Sequence, residues 1–328
     1  SALLPDSTIG SLNTSGLLLI LHQFMGAAGG ARGIWGYHRG GMGGIAKALA
    51  SAGKESGVEV RLDEPVESIL INTSGVACGV RLERGKVALA DVVVSNATPY
   101  ETFMRLVPRG DCPRAYANRI REDDYSSGVM KVNAILSGPP VFNALRGYDD
   151  PTHYLKGTIH LSPTTAYIER ALQEAARGVP SSRPMVEMTI PSLVDNTLAP
   201  PGHHVMNLFV QYVPYQLRGK EEWTEKRKDW YFRKNVLEAV RPFVSNIDDV
   251  LMGAQILSPA DLYRDLRLTG GNIFHGALTL RQLYCFRHPY RTPIKNLWLC
   301  GAGTHPGGGV MGACGHNAAC DIIQSLEK

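Results

Sequence analysis

Apolar and polar positions follow patterns along the chain that predict both helices and strands. Apolar or small residues recur at helical spacing at Ile45, Ala46, Leu49 and Ala52, and Gly57 follows as a helix end. Other runs alternate or are continuously apolar and predict strands at 58–62, 66–71, 75–82, 86–90, 91–97, 128–136, 185–190 and 205–213. The run 91–97 is rich in β-branched residues and predicts a strand covered on both faces. The run 58–62 alternates as a half-buried strand would.

Further helices are predicted in the middle of the chain. Ser162 stands before a proline, as an N-cap does, and its helix should continue to Gly178. Ser258 should cap a shorter helix that runs to Leu266. Between these two, a long charged helix is predicted that Pro242 ends. Large apolar residues recur every seven positions along it, at Trp223, Trp230 and Leu237.

The end of the chain has the most informative pattern. The short apolar run 297–300 is bounded by turn signals and predicts a buried strand, which a glycine-rich turn from Gly301 to Gly312 and then a helix follow. Glycines let the backbone turn and let another group approach it closely. The N–H groups and dipole of a helix N-terminus favour an electron-rich or anionic group. The sequence therefore predicts a binding site built from backbone; a tight turn that binds nothing is the alternative, and the density of glycines disfavours it.

The order of these elements predicts an α/β fold with an α+β insert. Segments 33–99 and 290–328 have α/β character and should form one discontinuous domain, because segments distant in sequence can share a sheet. Segment 100–289 mixes strands and helices and forms the insert, which contains a second glycine turn at Gly270–Gly276. Residues 1–32 are assigned to this middle domain as a partial segment.

Composition and charge argue against several classes of protein. The 328 residues are 44% hydrophobic and 20% charged, and the net charge of +4 is spread along the chain, so no basic stripe predicts nucleic-acid binding. The apolar run Leu17–Leu21 ends at His22 and is too short to span a bilayer. The cysteines form no C-x-x-C pair and the histidines lack metal spacing, so no disulfide framework or metal site is expected. The chain begins at Ser1 without a visible targeting segment, which predicts a processed or truncated chain.

One glycine motif matches a dinucleotide-binding fingerprint in part. Gly41-x-Gly43-x-x-Ala46 opens a predicted helix, and Asp63 and Glu64 follow about twenty residues later. The fingerprint needs a buried apolar strand before its first glycine, whereas residues 35–40 are polar and interrupted by glycine. We interpret the motif as a loop that approaches a ligand. A nicotinamide-dependent dehydrogenase is the alternative.

Five segments, taken in order, carry a family resemblance. They are Tyr37-x-Arg39-Gly40-Gly41-Met42-Gly43, Gly57-Val58-x-Val60, Gly79-Val80-Arg81-Leu82, 90–97 and 300–312. Together they resemble the phytoene-desaturase-like FAD oxidoreductases, which are relatives of the flavin amine oxidases. The resemblance runs over essentially the whole chain, and the segment 300–312 is its most specific part. It implies FAD bound in extended form and hydride transfer to the flavin from a C–H or C–N bond.

The resemblance also implies which residues contact FAD. The loop of Gly40, Gly41, Met42 and Gly43 would lie along the flavin or its ribityl chain. The main chain of Val66 matches the strand position that meets adenine, with ordinary strand packing as an equal alternative. The C-terminal turn would meet the flavin through Gly301, Ala302, Gly303, Thr304, Gly309, Val310, Met311 and Gly312. Segments 33–99 and 290–328 would then form the FAD-binding domain, and 100–289 the substrate domain.

Substrate-side residues are less well defined by the sequence. Phe274 and His275 in the second glycine turn and His305 in the first are the candidates, although a single histidine is more often a structural residue. The resemblance implies a small hydrophobic substrate and a mitochondrial location with a role in mitochondrial function. A peripheral membrane surface or a mitochondrial protein is a further candidate partner.

One departure from the family leads to a third hypothesis. Family members begin with a strand, a G-x-G-x-x-G turn and an acidic residue, and none of these precedes Gly33 here. We therefore expect an incomplete FAD-binding domain. A non-catalytic, partner-binding or regulatory protein that keeps the fold is the corresponding alternative function.

Overall fold

The computed structural model describes residues 27–28, 31–32, 36–126, 128–283 and 286–327. The predictions for the apolar run Leu17–Leu21 and for most of segment 1–32 lie outside the described residues. The chain divides into two compact units, a first unit of residues 1–60 with 128–261 and a second unit of residues 61–127 with 262–328. These bounds differ from the predicted domain boundaries at 33, 99 and 289. The assignment of an FAD-binding domain and a substrate domain stays a prediction.

The architecture is mixed α/β with several separate sheets. The strands are β1 (Ala27–Ala28), β2 (Ala31–Arg32), β3 (Val66–Ile71), β4 (Ala77–Leu82), β5 (Val87–Leu89), β6 (Val93–Ser95), β7 (Met130–Leu136), β8 (Ile159–Leu161), β9 (Met185–Thr189), β10 (His204–Gln211), β11 (Leu251–Leu257) and β12 (Leu297–Leu299). The helices are α1 (Gly43–Glu55), α2 (Pro99–Glu101), α3 (Arg114–Glu122), α4 (Thr152–Leu155), α5 (Thr165–Ala176), α6 (Glu225–Tyr231), α7 (Leu237–Val240), α8 (Ile247–Val250), α9 (Pro259–Leu266) and α10 (Ala313–Leu326). A π-helical turn, Phe232–Val236, connects α6 to α7. Within the described part of the chain, no helix is both long enough and apolar enough to cross a membrane.

The first unit is built on a five-stranded antiparallel sheet in the order β11-β7-β10-β9-β8. The strands predicted at 128–136, 185–190 and 205–213 are confirmed as β7, β9 and β10. Alternate residues of β7, from Met130 to Leu136, are fully buried and pack with the apolar side chains of the helical segment 225–240. At one edge of the sheet, β11 carries a bulge between Leu251 and Gly253.

The long helix predicted up to Pro242 is confirmed as α6, the π-helical turn and α7, but the residues that recur every seven positions do not all lie on its buried face. Trp223 precedes α6, because the side chain of Thr224 caps that helix. Trp230 is 58% exposed, whereas Tyr231 and Phe232 are each 2% exposed. The π-helical turn shifts the buried face of the helix at this point, which a regular repeat in the sequence does not reveal.

Two capping residues set the starts of other predicted helices. α5 begins later than predicted, because Oγ1 of Thr164, and not Ser162, accepts a hydrogen bond from the Tyr167 N–H at 3.2 Å. The cap predicted for α9 is confirmed, since Oγ of Ser258 accepts a hydrogen bond from the Asp261 N–H at 3.3 Å.

The end of α1 explains why a predicted strand does not form. The helix predicted after the Gly40 loop is confirmed, and Gly57, with φ of +84°, ends it. The Val58 N–H then donates to the Gly53 carbonyl at 2.9 Å, as in a Schellman motif. The half-buried strand predicted at 58–62 was wrong: Leu62 is 79% exposed, and the segment forms no strand. Alternation alone does not make a strand, because cross-strand pairs stabilise it.

The second unit contains the antiparallel sheet β3-β4-β5 and the parallel pair β6–β12. The predicted hairpin is confirmed, and the Gly85 N–H closes its turn by donating to the Leu82 carbonyl at 2.8 Å. The strand predicted at 91–97 is confirmed only as the shorter β6. The prediction that it is covered on both faces was wrong, since Val94 is 45% exposed. The core of this unit includes Ile69, Phe103, Ile120, Ile294, Leu297 and Leu299.

A buried ion pair joins α6 to the start of α9. Nζ of Lys228 donates to Oδ2 of Asp261 at 2.8 Å, and the two side chains are 3% and 2% exposed. The same carboxylate accepts hydrogen bonds from N–H and Oγ of Ser258 at 2.8 and 2.7 Å. The exposed Glu225 also lies 2.7 Å from the ammonium group. Without the charge of Asp261, the buried ammonium group of Lys228 would therefore have only the exposed carboxylate of Glu225 as a charged partner.

Replacing Asp261 by Asn should lower the free energy of unfolding by about 3 kcal/mol, because breaking a buried pair leaves an uncompensated charge. Urea unfolding followed by circular dichroism measures the change. Arg233→Ala is the matched control, since Arg233 pairs with Asp229 on an exposed face of the same helical segment and such pairs contribute less than about 1 kcal/mol. Equal losses for the two variants would contradict this role of Asp261.

Candidate functional site

The parallel strands β6 and β12 position the C-terminal glycine turn. β12 is buried along its whole length and pairs in parallel with β6. The Cys300 N–H continues this pairing by donating to the Ser95 carbonyl at 3.0 Å. Because the strands are parallel, the chain leaves both of them at the same end of the pair. The predicted unit of strand, turn and helix is confirmed, with the turn at 301–312 and α10 after it.

The first part of this turn is packed inside the protein. A Cβ atom on Gly301 would lie 2.7 Å from the Asn96 carbonyl oxygen, and one on Gly303 would lie 2.5 Å from Cδ of Pro99. Thr304 is 1% exposed, and its N–H and Oγ1 donate to the Gly301 carbonyl at 3.0 and 2.7 Å. Packing within the chain thus explains why these positions need small residues. Their contact with a flavin stays a prediction.

The second part of the turn is exposed and leads into the N-terminus of α10. Val310 is 71% exposed and Met311 is 50% exposed. Gly312, with φ of +68°, stands before α10, and the His316 N–H makes a first hydrogen bond to its carbonyl at 3.0 Å. The N–H groups of the first turn of α10 therefore have no acceptor within the helix, and they lie at the positive end of its dipole. Of the predicted contacts, those on the exposed side of the turn are Gly309, Val310, Met311 and Gly312.

A buried arginine that the sequence reasoning missed joins the two glycine turns. Arg287 is 4% exposed, and its Nε donates to the carbonyls of Ala302 and Thr304 at 3.1 and 3.2 Å. Its Nη2 donates to the carbonyls of Ala302 and Phe274 at 2.6 and 2.5 Å, and its Nη1 to that of Gln282 at 3.2 Å. Burial lowers the pKa of Arg287, but a guanidinium keeps its charge in proteins. The turn is thus fixed around a positive charge.

The second glycine turn presents two polar atoms that have no hydrogen-bond partner among the residues that the structure describes. Asn272 is fully buried; its Oδ1 accepts a hydrogen bond from the Phe274 N–H at 2.8 Å, whereas its Nδ2 has no hydrogen-bond partner. Nδ1 of His275 is also buried without a partner. A Cβ atom on Gly303 would lie 3.7 Å from the His275 carbonyl, so the two turns are close neighbours. Since buried polar groups are normally hydrogen-bonded, these two atoms are available to a bound molecule.

His275 is uncharged at neutral pH. Burial, with a smaller contribution from the charge of Arg287, lowers the pKa of His275 to about 4. The imidazole can therefore donate or accept a hydrogen bond at pH 7, but it carries no charge there. Phe274 meets Arg287 through its carbonyl group. The substrate-side roles of Phe274 and His275 stay predictions.

His305, the third predicted substrate-side residue, is held through its backbone. Its N–H donates to the His288 carbonyl at 3.1 Å, and its carbonyl accepts a hydrogen bond from the Tyr290 hydroxyl. His288 is 5% exposed; its Nε2 lies 2.6 Å from Oδ2 of Asp123, and its Nδ1 lies 3.4 Å from the Tyr116 hydroxyl. The sequence reasoning missed this polar cluster, because its members are far apart along the chain.

The predicted loop at Gly40 lies in the first unit and has its own anchor. The Gly40 N–H donates to Oδ2 of Asp195 at 2.6 Å, and a Cβ atom on Gly41 would lie 3.4 Å from Cδ2 of Leu198. Hydrogen bonds from Thr197 and from Gly40 lower the pKa of the Asp195 carboxyl. The sequence reasoning did not identify Asp195, since nothing in the local pattern links it to a loop so distant in the chain.

The remaining predicted contacts lie on exposed backbone. Met42 is 54% exposed, directly before α1, which begins at Gly43. Val66 is 38% exposed at the start of β3 and is therefore not a buried core residue of that strand. Its contact with adenine stays a prediction. Among the residues that the structure describes, no group of three or more His, Cys, Asp or Glu side chains could hold a metal ion.

Stability in acid should depend on His275. Its folded pKa of about 4 lies below the ordinary value of 6.5, so the unfolded chain binds a proton that the folded chain does not, and stability falls as the pH falls through this window. At pH 4, His275 should account for a loss of roughly 3 kcal/mol in the free energy of unfolding. Urea unfolding between pH 7 and pH 4 measures it.

His275→Gln should lose less stability over this pH range than the unmodified chain does. If His275→Gln lost stability in acid as steeply as the unmodified chain, the neutral state of this imidazole in the folded protein would be refuted.

Known proteins with similar sequences confirm the predicted resemblance. A family model described as flavin containing amine oxidoreductase matches residues 6–323. Pyridine nucleotide-disulfide oxidoreductase domain-containing protein 2 of Mus musculus is 40% identical over 342 residues, which cover 100% of this chain and 58% of that protein. A phytoene desaturase (neurosporene-forming) of Cereibacter sphaeroides is 27% identical over 282 residues, 85% of this chain and 52% of that protein. The chain thus spans little more than half the length of these relatives.

Solved structures include proteins whose fold is similar to that of this chain. A putrescine oxidase mutant superposes with a TM-score of 0.54 at 18% sequence identity, over 87% of this chain and 53% of its own. At this identity the likeness shows the fold alone.

Proposed function

We propose that this chain, which belongs to the flavin-containing amine oxidoreductase family, is an FAD-dependent oxidoreductase that moves a hydride from a C–H or C–N bond of a small molecule to the flavin. The family model matches residues 6–323, and a phytoene desaturase is among the relatives. Because the chain covers 58% of the length of its mouse relative, the activity of the whole protein is part of the proposal.

The observation that supports this function best is the joined pair of glycine turns in the second unit. The exposed residues before α10 lead to free N–H groups at its N-terminus, and Arg287 places a positive charge beside the same turn. Asn272 and His275 add two buried polar atoms that no described residue meets with a hydrogen bond. An isoalloxazine ring has a polar, electron-rich pyrimidine edge, so a site of this composition fits it.

FAD, when bound, supplies the hydride acceptor. The residues of this chain supply binding and orientation. The N–H groups at the start of α10 stabilise negative charge beside the turn. Arg287 holds the carbonyls of Ala302 and Phe274 in fixed positions, so the turn need not reorganise as charge develops. His275, which is neutral at pH 7, offers a hydrogen bond to a bound group without transferring a proton.

The alternative of a nicotinamide-dependent dehydrogenase has less support. A dinucleotide fingerprint needs a strand before its first glycine, and residues 36–42 form a turn instead of a strand. The Gly40 N–H is also bound to Asp195 and is not available to a pyrophosphate. A non-catalytic, partner-binding protein with this fold remains the competing proposal, and FAD binding distinguishes the two. A mitochondrial location and a membrane or mitochondrial protein partner rest on the family resemblance, and cell fractionation tests them.

Gly312→Ala should weaken FAD binding about tenfold, because a left-handed residue with a Cβ atom adds about 1–2 kcal/mol of strain where the turn enters α10. Gly147→Ala is the matched control: Gly147 has φ of +92°, and a Cβ atom there would meet open space, as it would at Gly312, but Gly147 lies in a loop of the first unit. Its FAD affinity should equal that of the unmodified chain. Titration of the purified chain with FAD, followed by flavin fluorescence, measures the affinities.

Thermal unfolding with and without FAD is the companion measurement, since a ligand that binds the folded state must stabilise it. If FAD neither binds saturably nor raises the Tm of the unmodified chain, the oxidoreductase proposal fails and the non-catalytic alternative is favoured. If Gly147→Ala weakens binding as much as Gly312→Ala does, the C-terminal turn is not the flavin site.

A further inference from the structure

The five-stranded sheet of the first unit has one apolar face and one polar face. The buried face carries alternate residues such as Met130, Met188 and Leu208, which belong to the core. Because successive side chains on a strand point to opposite faces, the intervening residues share the other face. Its polar members, with Phe209 between them, are Lys131 and Asn133 of β7, Asn207, Phe209 and Gln211 of β10, Glu187 and Thr189 of β9, and His160 of β8. Apolar residues share this side of the sheet as well: Ile135, Val205 and Met185, of which Met185 packs against α5. We call the part formed by the first group the polar face.

Four residues of the polar face form one row across neighbouring strands. Lys131 pairs in register with Phe209, Phe209 with Glu187, and Glu187 with His160. Neighbouring strands lie about 4.8 Å apart, so the backbone positions of Lys131 and Glu187 are about 10 Å apart, with the Phe209 position between them. The row thus places a base and an acid on the two sides of an aromatic residue.

The two charged groups of this row attract each other, but they are too far apart to form an ion pair. Within the described part of the chain, the side chain of Lys131 makes no hydrogen bond and no ion pair, and that of Glu187 has only His160, with Nε2 at 3.8 Å from its Oε2. Burial lowers the pKa of Lys131 to about 8 and raises the pKa of Glu187. Burial therefore destabilises the charged forms of both side chains. A ligand group of opposite charge beside either one would stabilise its charged form.

Two other polar atoms on the same face are buried and make no hydrogen bond to any described residue. Gln211 is 2% exposed, and its Oε1 is one of these atoms. Nε2 of His160 is the other, and its contact with Glu187 at 3.8 Å is too long for a hydrogen bond. Buried atoms without a hydrogen bond are rare in folded proteins, and two of them on the same face as Lys131 point to a polar ligand. An apolar molecule at this face would leave all of these groups unpaired.

We propose that the polar face binds a small amphoteric molecule, which lies over Phe209 with an anionic or accepting end at Lys131 and a cationic or donating end at Glu187 and His160. The hydrophobic substrate expected from the family resemblance does not match these side chains.

The test uses three probes of equal chain length: 6-aminohexanoate, which has both charges, hexanoate, which has only the anion, and hexylamine, which has only the cation. Isothermal titration of the unmodified chain with each probe gives the affinities. We expect 6-aminohexanoate to bind at least about tenfold more tightly than either single-charge probe, the ratio that about 1.4 kcal/mol of additional interaction gives. Equal affinities for the three probes, or no binding of any, would overturn the proposal without any variant.

Two variants then test whether Lys131 binds the anionic end of the probe and Glu187 its cationic end. Lys131→Met should bind 6-aminohexanoate no better than hexylamine, and Glu187→Gln should bind it no better than hexanoate. Lys226→Met is the matched control, because Lys226 is exposed on α6 and should leave all three affinities unchanged. If folded Lys131→Met and Glu187→Gln retained the full preference for 6-aminohexanoate, the assignment to this row would be wrong. Should a variant fail to fold, the probe series on the unmodified chain still decides.

FAD binding is measured on the same samples, so the two proposals can fail separately. Preference for 6-aminohexanoate without FAD binding would support the polar face as a ligand site and count against the oxidoreductase proposal. FAD binding without that preference would support the oxidoreductase proposal and overturn the amphoteric ligand.

Discussion

The geometry of the candidate site depends on one buried cation, the guanidinium of Arg287. A buried charge is expensive unless its hydrogen bonds are satisfied, and here backbone carbonyls satisfy it, including those of Ala302, Thr304 and Phe274. These carbonyls belong to two glycine turns that are separated in sequence. The fork of donors in a guanidinium has a fixed geometry, so one side chain holds both turns in a single arrangement. The exposed backbone before α10 and the unpartnered atom of His275 keep their places because of it.

The local parts of this arrangement could be predicted from the sequence. The run from Leu297 to Leu299 is short, apolar and followed by glycines, and it forms the buried β12 before the turn. The hairpin around Gly85 and the cap at Ser258 have equally local signals, because a turn and an N-cap are determined by a few adjacent residues. The identity of the cofactor came from the family resemblance, because the spacing of the glycines alone does not specify which molecule binds.

The parts that were missed depend on contacts between distant segments. Residues 58–62 alternate as a strand would, but within the described part of the chain no strand pairs with them. Alternation in the sequence does not reveal whether such a partner exists. Arg287 and Asp195 look like ordinary charged residues in the sequence, and only the fold brings each of them to a glycine loop. Lys131 and Glu187 become one row only through the register of three strands. Hydrophobic periodicity indicates which face a residue takes, but not which residue stands opposite it.

The bulge in β11 has a consequence for the behaviour of the sheet in a crowded solution. An unpaired strand at the edge of a sheet can template the addition of a strand from another molecule. Among the described strands β11 is such an edge, and its side chains are mostly exposed, with Met252 at 60%. The irregularity between Leu251 and Gly253 twists the strand and interrupts a continuous row of donors and acceptors. The opposite edge, β8, has only three residues, so both edges are poor templates for growth of the sheet into aggregates.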